Sequence, residues 1–201
     1  MTKIGRHVRD NQKHLGGYTK GGNITSMSPP VWDSIIKLFK PSTMIDIGCG
    51  EGHAMEYFLK KNIISIGVDG CKETLKDSNI PHLISIWDFS KGPFVTDQLF
   101  DLGWCCEFVE HVEEQYTDNF IELFKKCKVV AMTHAIPGQT GLHHVNCQNS
   151  DYWIDKMEAN NFGYEKDLSL HLRSLNSKSK KEIGFLVGRT LMLFINKELI
   201  V

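Results

Sequence analysis

The stretch Asp46-Ile47-Gly48-Cys49-Gly50-Glu51-Gly52 joins a short apolar run, residues 43–47, to a segment of helical character, residues 53–61. Three glycines at alternate positions let the backbone turn tightly and let a ligand approach closely. The spacing D-x-G-x-G-x-G differs from the G-x-G-x-x-G of dinucleotide-binding loops. The stretch therefore predicts a ligand-binding loop at the carboxyl end of a buried parallel strand.

Outward from this loop, short apolar runs alternate with segments of helical spacing. Such alternation predicts parallel strands joined by right-handed crossovers, and hence a doubly wound α/β fold. Residues 163–189 show no clear pattern. The predicted strands are residues 43–47, 63–68, 83–87, 100–106, 129–133 and 190–196, and the predicted helices are 28–40, 53–61, 71–78, 114–127 and 150–160.

Composition narrows the class of protein. The chain has 201 residues, 41% of them hydrophobic, which suits one α/β domain from residue 28 to residue 201 behind an irregular arm, residues 1–27. The formal net charge of −1 gives no electrostatic argument for nucleic acid, so we expect no DNA partner. The polar N-terminus lacks the apolar region of a signal peptide, and no apolar stretch approaches membrane-spanning length. The six cysteines contain no Cys-x-x-Cys pair, which favours a reduced, cytoplasmic compartment.

Two further acidic residues stand at the ends of predicted strands. Asp69 ends the second strand, where a carboxylate can accept hydrogen bonds from both hydroxyls of an adenosine ribose. Taken alone, Asp69 suits a helix N-cap equally well. Asp88 follows Trp87 at the end of the third strand. The glycine loop and these strand ends together favour an adenosine-containing ligand.

The D-x-G-x-G-x-G loop resembles motif I of class I S-adenosylmethionine (SAM)-dependent methyltransferases. The resemblance implies a seven-stranded, Rossmann-like, three-layer sheet with SAM as cofactor. It implies that Asp46, the glycine backbone and Glu51 lie near the amino-acid tail of SAM. Asp88 would meet the adenine amino group, with Trp87 against the ring. The cofactor-binding residues that we expect are Asp46, Gly48, Cys49, Gly50, Glu51, Gly52, Asp69, Gly70, Trp87, Asp88 and Cys106.

A cluster of acidic residues and histidine follows the fourth predicted strand, in residues 105–112. If residues 107–111 begin a helical turn, Glu107, Glu110 and His111 share one face. Two carboxylates and an imidazole together are costly unless a metal ion, a shared proton or a lysine compensates. A metal with two imidazole ligands would be Mn²⁺, Fe²⁺ or Zn²⁺ rather than Mg²⁺. A metal is possible but not the favoured interpretation, because similar Glu-His pairs are widespread in methyltransferases that need none.

The segment after the fifth predicted strand supplies further histidines. Strands four and five are neighbours in the doubly wound order, so their following loops border the same pocket. His143 or His144 would then meet the acidic cluster over the methyl group, whereas His134 is expected to be packed. We expect His111 or His144 to be the general base. The candidate catalytic residues are His111, His144, Glu107, Glu110 and His143.

The Glu-x-x-Glu-His run with a later histidine resembles the metal-dependent 2′-O-methyltransferases of small-RNA 3′ ends and the O-methyltransferases of ubiquinone biosynthesis. Across residues 14–160, the chain also resembles a bacterial and phage methyltransferase group often associated with glycan-modifying genes. This resemblance implies transfer to a small polar acceptor, such as a hydroxyl of a saccharide or another metabolite. The arm, residues 1–27, is a candidate lid over SAM with Tyr18 and Thr25 as candidate contacts, and the alternative is a disordered surface segment.

Two alternatives stay open. An RNA 2′-O-methyltransferase with a divalent metal is disfavoured by the near-neutral charge and by the lack of a basic–aromatic stripe. A non-catalytic SAM-binding subunit would keep the glycine loop but lose the polar residues on the acceptor side. Methylation of DNA amino groups is disfavoured because Cys-Cys-Glu-Phe follows the fourth strand, where an Asn-Pro-Pro-Tyr type motif would stand.

Overall fold

A computed structural model describes residues 14–15, 18–176 and 182–200. Its centre is a seven-stranded sheet with the order β3-β2-β1-β4-β5-β7-β6. β1 to β5 are parallel, and β7 runs antiparallel to both β5 and β6. The predicted doubly wound, mostly parallel sheet is confirmed. The strands are Thr43–Ile47 (β1), Ile64–Asp69 (β2), Ile84–Ile86 (β3), Phe100–Cys105 (β4), Cys127–Met132 (β5), Phe162–Tyr164 (β6) and Met192–Asn196 (β7).

Helices cover both faces of the sheet. The longest has 11 residues, and in the described part of the chain no helix combines the length and hydropathy of a membrane span. The predicted helix at residues 114–127 is a 3₁₀ turn, Glu114–Tyr116, followed by α4. The helices are Pro29–Phe39 (α1), His53–Leu59 (α2), Thr74–Asp77 (α3), Thr117–Phe124 (α4), Ser150–Glu158 (α5), Lys166–Ser174 (α6) and Phe185–Thr190 (α7).

Two apolar cores lie on opposite faces of the sheet. On one face, Phe120 of α4 and Trp153 of α5 are fully buried against the strands. On the other face, Trp32 of α1 meets Trp104 of β4 edge to face, with ring centroids 6.0 Å apart. Each buried aromatic ring removes a large apolar area from water, so these layers hold the strand ends in fixed positions.

The strand order reverses between β1 and β4, which are neighbours in the sheet. The loops that follow these two strands leave in different directions, and the resulting crevice is where open α/β sheets bind ligands. The glycine loop follows β1, and the acidic–histidine segment follows β4. The fold therefore brings the two segments with the strongest sequence patterns to one place.

Candidate cofactor and acceptor site

Two cavities meet at this crevice. The β3 cavity, of about 310 Å³, includes Gly70, Trp87, Asp88 and Phe108 in its lining. The arm cavity, of about 210 Å³, is lined in part by Tyr18, Asp46, Trp104, Cys106 and His144. The residues common to both linings are Gly48, Asp69, Glu107 and His111. An elongated ligand can therefore extend from one cavity into the other.

The glycine loop turns as its sequence predicts. Gly48 has φ +77°, and the amides of Gly48 and Cys49 both donate to the carbonyl of Val68 at the end of β2. A side chain at Gly48 would lie 2.7 Å from Phe108, so only glycine fits here. Gly52 lines neither cavity; it is the N-cap of α2, and a side chain there would lie 3.1 Å from Ile80.

Asp69 connects the end of β2 to the glycine loop. Its carboxylate accepts hydrogen bonds from the amide of Gly50 at 2.8 Å and from the amide of Cys71 at 2.7 Å. Burial raises the pKa of Asp69 to about 6. Because Asp69 lines both cavities, the remaining lone pairs of its carboxylate are available where the cavities meet.

Asp46 is a buried carboxyl in the wall of the arm cavity, with 4% of its surface exposed. Burial, together with the charge of Asp69, raises the pKa of Asp46 to about 8. A cationic ligand group beside Asp46 would favour the ionised form and reverse this shift.

The end of β3 supplies an acidic and an aromatic side chain to the β3 cavity. Asp88 accepts hydrogen bonds from the Ser90 amide and hydroxyl, and its other oxygen lies 3.0 Å from Nε2 of His14. Burial works against ionisation, but these hydrogen bonds outweigh it and lower the pKa of Asp88. Trp87 donates its indole N–H to the carbonyl of Gly92. Both predicted residues therefore line the β3 cavity in fixed orientations.

The described part of the arm crosses the crevice. Tyr18 is 9% exposed and donates its hydroxyl to Asp77 at 2.5 Å, and Lys20 pairs with the same carboxylate at 2.7 Å. The Gly21 amide donates to Glu51 of the glycine loop at 2.8 Å. Tyr18 lines the arm cavity, whereas Thr25 does not. Residues 1–13 and 16–17 of the predicted arm lie outside the described residues.

The segment after β4 differs from the helical turn that its spacing predicts. Only Val109–His111 forms a turn, and it is a 3₁₀ turn. Glu107 has φ +55° and donates its amide to the hydroxyl of Thr133 at 2.8 Å. The expected common helical face of Glu107, Glu110 and His111 is therefore wrong, because the left-handed backbone at Glu107 places it before the turn begins. Burial raises the pKa of Glu107.

The loop after β5 docks onto this turn through its main chain. The amides of Val145 and Asn146 both donate to the carbonyl of Glu110, at 3.0 and 3.1 Å. As a result, the rings of His111 and His144 meet edge to face with centroids 5.0 Å apart. Burial, and then the neighbouring His144, lower the pKa of His111 to about 4. His111 is therefore a neutral imidazole at neutral pH.

Glu110 lies beneath these two histidines. Its side chain is fully buried, and neither carboxylate oxygen has a hydrogen-bond partner among the described residues. Burial, reinforced by the charge of Glu107, raises the pKa of Glu110 well above its usual range. One ligand atom from each of Glu110, His111 and His144 lies within 4.8 Å of the others.

The other two histidines of this loop lie elsewhere. His143 has φ +50° and lines the β3 cavity, so it does not join His111 and His144 in the arm cavity. His134 is 1% exposed, and its Nε2 lies 3.1 Å from the hydroxyl of Ser150. The predicted packing of His134 agrees with this position.

Several lining or supporting residues were not expected from the sequence. Trp104 lines the arm cavity, and Phe108 lines the β3 cavity. Thr133 holds Glu107, and the carbonyl of Gln139 lies 3.2 Å from Nδ1 of His144. Only Thr133 had a sequence cue, because it ends a predicted strand beside the crevice.

Comparisons with known proteins agree with this geometry. Residues 45–131 match a family model described as a methyltransferase domain. No curated protein matches the chain. Similar solved structures include a TehB-like SAM-dependent methyltransferase from Corynebacterium glutamicum, at 14% identity and TM-score 0.61, which covers 85% of this chain and 89% of that one.

Two further solved structures share the fold. The plantazolicin methyltransferase BpumL in complex with SAH has 14% identity and TM-score 0.55, covering 83% of this chain and 81% of that one. The methyltransferase domain of bacterial CtHen1-C has 16% identity and TM-score 0.54, covering 81% of this chain and 93% of that one. At these identities the likeness is one of fold. The chain therefore has the fold of the class I SAM-dependent methyltransferases, and its residues 45–131 match the methyltransferase-domain model; S-adenosyl-L-methionine is the cofactor that these matches indicate.

Proposed function

We propose that this protein transfers the methyl group of SAM to a hydroxyl oxygen of a small polar acceptor, such as a saccharide. The observation that carries the proposal is the His111–His144 pair, whose rings lie 5.0 Å apart in the arm cavity. The neutral imidazole of His111 has a lone pair that can accept the proton of a hydroxyl as the oxygen attacks, and His144 lies beside it.

The cavities suggest how SAM is held. Its adenosine fits the β3 cavity, with Asp69 accepting from the ribose hydroxyls and Asp88 from the adenine amino group. Its amino-acid tail then enters the arm cavity beside the glycine loop. There the tail ammonium would supply the cation that the buried carboxyl of Asp46 lacks. This orientation directs the methyl group toward His111, which lines both cavities.

The size and lining of the arm cavity favour a small acceptor. The cavity measures about 210 Å³ and must also hold the amino-acid tail. Its lining includes the polar side chains of Thr19, Asn23 and Ser26, which suit an acceptor with several hydroxyl groups. Methyl transfer then requires the acceptor oxygen to lie about 3 Å from the methyl carbon.

An RNA 2′-O-methyltransferase is the second candidate. The observation in its favour is the set of Glu110, His111 and His144, which has the ligand types of a metal-assisted transfer. The two candidates share the SAM site and differ in the acceptor. Labelled methyl would appear in a short single-stranded RNA in one case and in a monosaccharide in the other.

Binding and transfer assays test the proposal. SAM and S-adenosylhomocysteine (SAH) are expected to raise the melting temperature of the purified protein, because a ligand of the folded state alone stabilises it. NAD is the matched control and is expected to have no effect. Labelled SAM is then incubated with monosaccharides, nucleosides and short RNA. The proposal fails if SAH does not bind at millimolar concentration, or if no monosaccharide or nucleoside is labelled; label in RNA alone would support the second candidate instead.

We also propose that the arm acts as a lid over bound SAM. The Asp77 carboxylate accepts hydrogen bonds from Tyr18 and Lys20 of the arm, and Asp77 lines neither cavity. Asp77→Asn is expected to increase the dissociation rate of SAH about threefold to tenfold, since it weakens the charged hydrogen bond that Asp77 accepts from Tyr18. Stopped-flow displacement measures this rate. Asp33→Asn, which removes the Asp33–Lys61 ion pair on the surface, is the control. Equal dissociation rates in the two variants would contradict the lid.

A further inference from the structure

We propose that His14 of the arm competes with the adenine ring of SAM for the carboxylate of Asp88, so that the ligand-free protein blocks part of its own cofactor site. The inference rests on the proposed function in one respect, the position of adenine beside Asp88. It does not depend on the acceptor or on the transfer step. Three observations support it: the bonding of Asp88, the position of His14 and Leu15 in the β3 cavity, and the separate attachment of the rest of the arm.

The first observation is how the two oxygens of Asp88 are used. Oδ1 accepts hydrogen bonds from both the amide and the hydroxyl of Ser90, at 2.9 and 2.6 Å, so its two lone pairs are occupied. Oδ2 is the oxygen that remains for a ligand, and Nε2 of His14 lies 3.0 Å from it. An ionised carboxylate can only accept a hydrogen bond. His14 therefore donates to the same oxygen to which an adenine amino group would donate.

The second observation is where the two arm side chains lie. His14 and Leu15 both line the β3 cavity beside Asp88, in the space proposed for the adenosine of SAM. A side chain at Gly70 would lie 2.9 Å from Leu15, so Leu15 packs closely against the backbone that follows Asp69. Leu15 is therefore next to the position proposed for the ribose, and His14 next to the position proposed for adenine.

The third observation is that His14 is attached separately from the rest of the arm. Within residues 14–15, 18–176 and 182–200, its one hydrogen-bond partner is Asp88, and its side chain is 36% exposed. Tyr18 and Lys20 are held by a different carboxylate, that of Asp77. A single hydrogen bond between partly exposed groups is weak enough for a ligand to displace. His14 can therefore leave Asp88 while Tyr18 and Lys20 keep their contacts.

Competition of this kind lowers the apparent affinity for the cofactor without changing the contacts of the bound state. If His14 occupies Asp88 for about 90% of the time, the dissociation constant is about tenfold higher than it would be without the contact. Binding also has to wait until His14 leaves, which slows association. The contact at Asp88 therefore acts on the association rate, whereas the proposed lid contact at Asp77 acts on the dissociation rate.

Stopped-flow binding of SAH to the purified protein, without any acceptor, tests the inference. His14→Ala is expected to raise both the association rate and the affinity about threefold to tenfold, with little change in the dissociation rate. His14→Gln keeps an N–H group that can donate to Asp88 and should behave like the wild type. His82→Ala is the matched control, because it removes an exposed imidazole that lines neither cavity.

A double-mutant cycle tests whether the effect depends on Asp88. Asp88→Ala removes the carboxylate for which His14 and adenine compete, so adding His14→Ala to this variant should give no further gain in the association rate. A second ligand, 5′-methylthioadenosine, contains the adenosine of SAM but lacks the amino-acid tail. Its binding should gain from His14→Ala as much as that of SAH does.

The inference is overturned if His14→Ala binds SAH no faster than the wild type. It is also overturned if the affinity of this variant falls, because His14 would then be part of the cover over the bound cofactor. A gain of equal size in the wild-type and Asp88→Ala backgrounds would contradict the competition as well. Failure of methyl transfer to every hydroxyl acceptor would refute the proposed function and leave these binding results intact.

Discussion

Replacing His111 or His144 by alanine is expected to lower the rate of methyl transfer about 10²- to 10⁴-fold, the usual contribution of a positioned acid or base. The affinity for SAH should stay within a few-fold of the wild type. Both residues line the arm cavity next to the acceptor space, so their loss affects the transition state more than cofactor binding.

Single-turnover transfer of labelled methyl and calorimetry with SAH measure the two quantities separately. His143→Ala is the matched comparison, because it removes the adjacent imidazole, which lines the β3 cavity. This variant is expected to change SAH affinity more than the transfer rate. Full turnover in both His111→Ala and His144→Ala would show that these residues are structural. Activity that survives exhaustive chelation would leave only the general-base role.

Asp69→Ala is expected to weaken SAH binding by about 1–3 kcal/mol, because the ribose hydroxyls lose a charged acceptor. The variant also leaves the amides of Gly50 and Cys71 without their acceptor, so the glycine loop loses part of its support. Asp69→Asn keeps one carbonyl oxygen and should lose less affinity. Calorimetry with SAH and thermal melting are the measurements. An unchanged affinity in Asp69→Ala would rule out the ribose contact.

The central part of the fold could be predicted from the sequence because its strands are buried on both faces. The run at residues 43–47 is apolar except for Thr43 and Asp46, and glycines follow it at once. The apolar pattern of such strands is visible within a few consecutive residues of the sequence. The glycine loop was predicted for the same reason, since positive φ angles at Gly48, Gly50 and Gly52 are what the spacing indicates.

The C-terminal third of the chain was harder to predict. β6 has three residues, too few for a period to show. In α6, Leu168, Leu170 and Leu172 alternate as in a strand, although the segment is a helix that buries Ser169 and Leu172 and leaves Leu170 half exposed. Packing against the sheet overrides the local pattern here.

The sequence predicted which segments border the crevice better than it predicted their local backbone geometry. Topology correctly brought the segments after β4 and β5 together. The positive φ angle at Glu107 could not be foreseen, because glutamate does not favour the left-handed region; histidine adopts it more often, but residue type alone did not single out His143. These two angles separate Glu107 from the turn and direct His143 into the β3 cavity.

The docking of the loop after β5 has a consequence for how acceptor preference can change. The carbonyl of Glu110 receives the amides of Val145 and Asn146, and every residue except proline can supply such an amide. The side chain of Val145 is 46% exposed, so this anchor places little demand on the amino acid there. Amino-acid substitutions along the loop can therefore alter the chemistry of the pocket while the loop keeps its backbone path. This makes the loop a suitable segment for redirecting the enzyme toward new acceptors by library selection.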